Sequence, residues 1–436
     1  MNLRSGKMLM HKKLSAKSNE IHQDIISELP DEMLTQILSM LPDADANRSR
    51  ILSNRWKNLY AFLPNLHFFI PATEQGNRSH DFIDQTLSLR GNKPIQRFIL
   101  ECHNDCDYNR LSNWLSNIIQ CKLEQLVLIV PAVIRFNWEL FKTCDTLVEL
   151  KLSGRFIIDV PEDADLLFPC LKKVELVSII YSSDESLTNL ISYCRVLQEL
   201  IVERIGEPDN LDMFKVSSRS LKRLSIGFPH AYRHRNTVID APNLEYLFIF
   251  DENLSRVYSY TETLSLVEAS ISIQLIRLNR IATCLSSVKI LTLTCLSIQA
   301  LRNVHPRLNL PMFPNLVKLV VDHADDPRAP SEVILYLLNH MPNLEHITFS
   351  NGYLSFDSSW KLSVEPPFCL CFKIKGIVII HRGIMAQAEY KFIRYLLKKS
   401  NILETLTINA CIIDPKRRER LLNVHRGSNS CQIEFI

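Results

Sequence analysis

A short block of the form L-x-x-L-x-L, its Leu positions apolar throughout, recurs along most of this chain. It reads LEQLVL from residue 123, LVELKL from 147, LKKVEL from 171, LQELIV from 197, LKRLSI from 221 and LEYLFI from 244, so successive starts lie 24, 24, 26, 24 and 23 residues apart. VKILTL at 288, LVKLVV at 316, LEHITF at 344 and LETLTI at 403 continue the series. The long step from 244 to 288 leaves room for one degenerate copy near TLSLVEAS, where Leu264 and Leu266 fall close to halfway. Alternation within each block has the period of a strand. The stretch SLTNLISYCRVLQEL between two blocks instead sets Leu187, Leu190, Ile191 and Cys194 on one helical stripe.

A period of this length is that of a leucine-rich repeat. One such unit cannot bury its apolar face alone, so the units stack, each strand pairing with the next. The predicted fold is α/β: a solenoid with a curved parallel sheet and helices or irregular segments on the convex side, spanning 123–355. Upstream, FIDQTLSLRGNKPIQRFILEC predicts a helix then a strand and NRLSNWLSNII a further helix, which makes 82–122 the opening unit of the solenoid. The polar stretch 73–80 marks a linker over 71–81. Downstream, a strand, a helix carrying Ile393, Leu396 and Leu397 inward and a last strand make 356–412 a terminal cap, leaving 413–436 as a tail.

The N-terminus has a different texture. Residues 1–23 carry Arg4, Lys7, Lys12, Lys13 and Lys17 before the first acid at Glu20, the composition of a disordered basic tail. From 24 to 70 the pattern is helical: LPDEMLTQILSMLP puts Leu34, Ile37, Leu38 and Leu41 on one face. Pro30, Asp31 and Glu32 suit its first turn and Pro42 its end. A second short helix follows from Asp45 to Leu52, and a third after Ser53 carries Trp56 and Leu59 inward. Three short helices hold more apolar surface than so small a core can bury, so part of it is expected to face a partner.

Composition narrows the functions. With 46% hydrophobic residues the chain is globular, and 50 basic against 47 acidic residues give no global field toward nucleic acid or a membrane surface. Ten glycines include no phosphate-cradling motif. No apolar run approaches the ~20 residues of a spanning helix. Twelve scattered cysteines read as buried free thiols of an intracellular protein, nuclear or cytoplasmic. Cys102, His103 and Cys106, and separately Cys369 and Cys371, are too few for a closed zinc site. Glu162-Asp163 and Asp325-Asp326 fall in polar turns, His230 and His234 in a basic loop, and the KRRER run from Lys416 on a solvated helix face. Neither catalysis nor a cofactor nor a metal is expected, which leaves presentation of one protein to another.

Three motif sets resemble the plant F-box/FBD/LRR-repeat family: Leu29-Pro30, the run Ile37 to Pro42, Arg48, Ile51 to Ser53, Arg55-Trp56 and Pro64 to Leu66; then the repeats; then Trp360, Pro366, Pro367, Cys369, Leu370, Glu389, Phe392, Tyr395 to Leu397, Leu403, Leu406 and Ile408. The resemblance spans nearly the whole chain after residue 24 and implies a substrate-recognition subunit of a Skp-cullin-F-box ubiquitin ligase. Its F-box would bind a Skp-type adaptor, and through it a cullin scaffold, by Leu29, Pro30, Leu34, Ile37, Leu38, Leu41, Ile51, Leu52 and Trp56. Asn47, Arg50 and Asn54 stand where the family usually has Val, Ser and Lys. The residues flanking the inward Leu of each block face the concave side, and Tyr246 and Phe248, with Arg223 and Lys318, are the candidate contacts for an unknown protein substrate. Two other readings stand beside this one: a scaffold whose F-box no longer docks, and a small-molecule sensor using Lys151, Lys173 and Arg223.

Overall fold

A computed structural model describes residue 26 and residues 28–436 apart from 73–75, 104–105, 206–210, 229–235, 252–256, 261–264, 274–283, 295–309, 311, 323–328, 351–353, 356–364, 385–386 and 413. The basic N-terminal tail, His230, His234, the 325–326 acids and Trp360 lie outside the described residues.

The repeat blocks form one sheet. All but one of its 16 strands lie side by side in chain order: Asn65–Ile70, Arg97–Cys102, Gln125–Arg135, Glu149–Ile158, Lys173–Val177, Glu199–Glu203, Arg223–Phe228, Tyr246–Asp251, Glu268–Ile273, Ile290–Thr294, Lys318–Asp322, His346–Ser350, Gly376–Ile384, Thr405–Ile412 and Gln432–Phe435. Every neighbouring pair is parallel and the repeat blocks themselves stay in register, so Leu126, Leu150, Val174, Leu200, Leu224, Leu247, Ala269, Leu291, Leu319, Ile347, Ile377 and Leu406 make a single buried row across twelve rungs. At about 25 cal/mol per Å² of apolar area, stacking these rows supplies the main drive to fold. The degenerate copy is the Glu268–Ile273 strand, led by buried Leu266; Leu264 lies outside the described residues.

One rung needs a glycine. Gly154 sits at φ +125°, where the register with the preceding strand shifts, and a Cβ there would stand 1.8 Å from the Val130 carbonyl oxygen. The returning segments are not all helical. The expected helix is present at Glu185–Ser192, with Leu187, Leu190 and Ile191 buried. The next three returns instead carry Met213–Ser217, Asn236–Asp240 and Val257–Tyr260, which pair as a second parallel sheet. Their alternation explains this, since Phe214 with Val216 and Thr237 with Ile239 point inward at period two.

Helices α1 (Asp31–Ser39), α2 (Asp43–Ser49) and α3 (Asn54–Tyr60) form the N-terminal module. Pro30 and Pro42 stand immediately ahead of α1 and α2, and the Ser53 hydroxyl caps α3 by accepting from the Trp56 N–H. α2 is shorter than expected, ending at Ser49 rather than Leu52. Leu34, Leu38, Ala46, Leu59 and Tyr60 are buried in the same continuous cluster as the solenoid core.

The module closes the first edge of the sheet. The Tyr60 hydroxyl donates to the His67 carbonyl at 2.8 Å and accepts from the His67 N–H at 3.2 Å, while the Asn47 amide donates to that carbonyl at 3.3 Å. From Gly76 the expected 71–81 linker is helix, the start of α4 (Gly76–Arg90): Arg78 and Asp81 face solvent while His80 packs on Trp114 of α5 (Tyr108–Ile119). Arg90, at the end of α4, is buried and donates to the carbonyls of Ala61, Leu63, Lys93 and Pro94. It ties the chain leaving the three helices to the first rungs. The C-terminal residues expected as a tail are ordered as a helix, Pro415–Leu422, and the last strand, because Leu421 and Cys431 have core positions to fill.

Removing the Arg90 clamp should loosen this junction locally. In Arg90→Ala, amide exchange across residues 56–70 is expected to quicken by about tenfold to a hundredfold, roughly 1–3 kcal/mol for carbonyls left without a donor. Exchange in the Lys318–Asp322 strand should not change.

Candidate functional site

The three-helix module keeps a large share of its apolar side chains in solvent. Ile26, Met33, Ile37, Met40, Leu41, Ile51 and Leu52 are all exposed, with Met40 at 74%, Ile51 at 82% and Leu52 at 66%. Such density of bare aliphatic and thioether groups within residues 26–52 is the character of a protein contact. α1 explains how one helix serves two surfaces. Leu34 and Leu38 point into the core at 0% and 1% exposure, while Met33, Ile37 and Met40, at i, i+4 and i+7, form a second stripe outside.

The sequence-derived contact set is therefore divided by the fold. Pro30, Ile37, Leu41, Ile51 and Leu52 are exposed, and Leu29 and Trp56 are half-buried against the core. Leu34 and Leu38 are core residues and offer no surface, a correction to that set. Ile26, Met33 and Met40 were missed, although their helical spacing from Ile37 was a legible signal for the two methionines. Arg55 fixes the approach to α1, donating to Asp31 Oδ1 at 2.7 Å and to the Leu29 carbonyl at 2.5 Å. Asn47 turns toward His67 on the first strand, so its polarity serves the junction.

On the outward face of the sheet, register turns sequence positions into contacts. Lys151 pairs with Glu175 at 2.5 Å and Lys173 with Glu199 at 3.4 Å, each across one rung. The Arg223 guanidinium lies 4.1 Å from the centroid of the Tyr246 ring. Burial, with Glu268 on the next rung, raises the Tyr246 hydroxyl above its ordinary pKa. Phe248 and Phe250 follow Tyr246 on the same face of the strand. Small residues flank both rings: Ser225 and Ser270 for Phe248, Gly227 and Ser272 for Phe250. Arg223, Tyr246 and Phe248 thus come together and Phe250 joins them. Lys318 lies three rungs beyond Tyr246, roughly 14 Å away at ~4.8 Å per strand, and belongs to a different patch. Ser270, Thr292, Thr348, Thr405 and Thr407 give the later rungs a hydroxyl-rich surface.

With this geometry in view, the comparisons with known proteins agree across the chain. The F-box domain matches residues 26–59, and the LRR repeats of FBD-associated F-box protein At5g56370 match residues 111–321. F-box/LRR-repeat protein At3g59190 of Arabidopsis thaliana is 30% identical over 368 residues, covering 75% of this chain and 92% of the relative. This chain belongs to the F-box/LRR-repeat family. FBD-associated F-box protein At1g66310 of the same plant is 28% identical over 98% of the chain and 99% of its own length. Putative F-box/FBD/LRR-repeat protein At5g22670 is 28% identical over 96% and 99%. The α1 to α3 module is thus the F-box, and the ladder of rungs is the LRR region.

The family's FBD-like stretch from Pro366 onward forms the helix Phe368–Phe372, two rungs and the helix Gln387–Lys399 between them. It continues the solenoid, with one more rung beyond it. Among the described residues no cluster of three or more His, Cys, Asp or Glu side chains could hold a metal, and no helix is long and apolar enough to cross a membrane.

Cysteine chemistry follows from burial. Of the ten cysteines whose side chains are described, only Cys170 is exposed, whereas burial pushes the Cys194 and Cys369 thiols up to about 12. A raised pKa keeps these two protonated at pH 8. N-ethylmaleimide on the native protein should therefore label Cys170 at least roughly tenfold faster than Cys194 or Cys369, the difference vanishing in denaturant, as peptide mass spectrometry would read.

Proposed function

We propose that this F-box/LRR-repeat protein is the non-catalytic substrate-recognition subunit of a Skp-cullin-F-box ubiquitin ligase. The observation that carries the reading is the exposed apolar surface of Met33, Ile37, Met40, Leu41, Ile51 and Leu52 on a module clamped to a long parallel ladder. A Skp-type adaptor of complementary apolar shape would cover that surface and connect it to a cullin scaffold inside the cell. The solenoid would hold a protein substrate, and rate would come from the raised local concentration of substrate lysines near a charged conjugating enzyme. No residue of the chain enters the covalent steps.

The sensor reading loses its basis, because Lys151, Lys173 and Arg223 already face Glu175, Glu199 and the Tyr246 ring. The scaffold reading differs only in whether the exposed F-box surface is covered by an adaptor. Co-expression with a Skp-type adaptor followed by size-exclusion chromatography decides between the two.

Ile51→Asp with Leu52→Asp should abolish the complex while leaving the melting temperature of the free chain within a few degrees, since both side chains are exposed. Leu34→Ala should cost about 3 kcal/mol of F-box stability by opening a cavity, weakening the complex through unfolding. A soluble, folded wild type that forms no complex would favour the scaffold.

On the sheet, Tyr246→Ala with Phe248→Ala should weaken capture of a substrate, once identified by its stabilisation under proteasome inhibition, by about 2 kcal/mol or more, near thirtyfold. Lys318→Ala, on its separate patch, should change it little, and full binding by the double variant would remove the aromatic patch from the substrate site.

A further inference from the structure

The two ends of the ladder are finished differently. At the first strand, Tyr60 and Asn47 satisfy the outward N–H and C=O of His67. At the last strand, Gln432 and Ile436 donate to Glu404 and Ile408, so the alternate residues Ile433 and Phe435 present their main-chain groups away from the sheet. Arg426 covers the Cys431 carbonyl, the next outward group upstream. Among the described residues no hydrogen bond reaches the outward groups of Ile433 and Phe435. The end of the core is open beside them, with Val424, Ile433 and Phe435 only half-buried and Ile436 74% exposed.

This edge lies beside strong positive charge. The helix Pro415–Leu422 exposes Lys416, Arg418 and Arg420 against the single acid Glu419, and the Arg418 guanidinium sits 4.6 Å from the Phe435 ring centroid. Arg418 thereby fixes the basic helix at the Phe435 end of the strand.

We propose that the Gln432–Phe435 edge is a docking site for an extended, acid-tailed peptide segment of a partner protein, added as a further parallel strand. Two main-chain residues provide the pairing. Alternate apolar side chains of the segment cover Ile433 and Phe435, and carboxylates running past Phe435 meet Lys416, Arg418 and Arg420. Charge selects this occupant over a second copy of the chain: antiparallel self-pairing centred on the strand would set Glu434 opposite its own copy and bring two basic helices to one seam. The surface lies at the far end of the solenoid from the F-box, so its occupation does not depend on the adaptor reading.

The test is fluorescence anisotropy of full-length protein with the labelled peptide Val-Thr-Val-Thr-Asp-Asp-Glu, against a control in which Lys replaces each acid. Saturable binding of the acidic peptide is expected, weakening as salt is raised, with none of the lysine control. Ile433→Pro removes one outward N–H without touching an internal bond and should weaken binding about tenfold, one hydrogen bond at ~1.4 kcal/mol. Charge reversal at Lys416, Arg418 and Arg420 should weaken it by at least about tenfold. An unchanged circular-dichroism melt of each variant shows that the fold is kept. No binding by wild type, binding indifferent to Ile433→Pro, or a concentration-dependent dimer that Ile433→Pro dissolves would each overturn the proposal, the last in favour of a second copy.

Discussion

A strand with neighbours on both sides satisfies its main-chain groups and buries its inward Leu row; a strand alone does neither. That constraint shapes this protein from end to end. Because parallel strands here follow chain order without a swap, every repeat leans only on its neighbours. The single inward row from Leu126 to Leu406 is possible only because the blocks keep one register through changes of spacing and through a degenerate copy whose inward residue is Ala269. Length differences are absorbed in the returning segments, where a helix, a strand or an irregular stretch suffices so long as apolar residues reach the core.

The same constraint makes the ends special. The F-box is more than an appended module: its Tyr60 hydroxyl and Asn47 amide serve the backbone of the first strand, and Arg90 binds carbonyls on both sides of the junction. An exposed apolar surface on α1 and the α2 to α3 turn is therefore held in fixed relation to the sheet. In the proposed receptor role that rigidity is functionally useful, since a defined geometry raises effective concentration where a loose tether dilutes it. At the far end, among the described residues, Arg426 holds the Cys431 carbonyl and a basic helix stands beside the strand.

Charge on the outward face of the sheet is arranged mainly to satisfy itself. Lys151 with Glu175, and Lys173 with Glu199, bridge adjacent rungs, so the early repeats present paired rather than free charge, each exposed pair contributing little to stability. The Tyr246, Phe248 and Phe250 strand interrupts this pattern with three rings: Tyr246 lies between Arg223 and Glu268, and Phe248 and Phe250 are flanked by small residues. Around Phe248 and Phe250 it stands out by the small size of the neighbours as much as by its own aromatic content.

The sequence by itself determined the repeat period, the parallel α/β solenoid, the F-box and the proline and serine positions that start its helices, because each rests on local alternation or local backbone chemistry that one chain segment encodes. It placed even the degenerate rung from Leu266. What only tertiary structure decided was which of two stripes on α1 is buried, since Leu34 with Leu38 and Met33 with Ile37 are equally apolar and helical period alone cannot rank them. The second sheet of returning strands, the ordered last rung beyond 413 and the partners of Lys151, Asn47 and Arg90 were likewise invisible, because each depends on residues brought together from different repeats. Register across strands is a property of the stacked array, and it sets which residues on its outward face meet and which, like Lys318, stand apart.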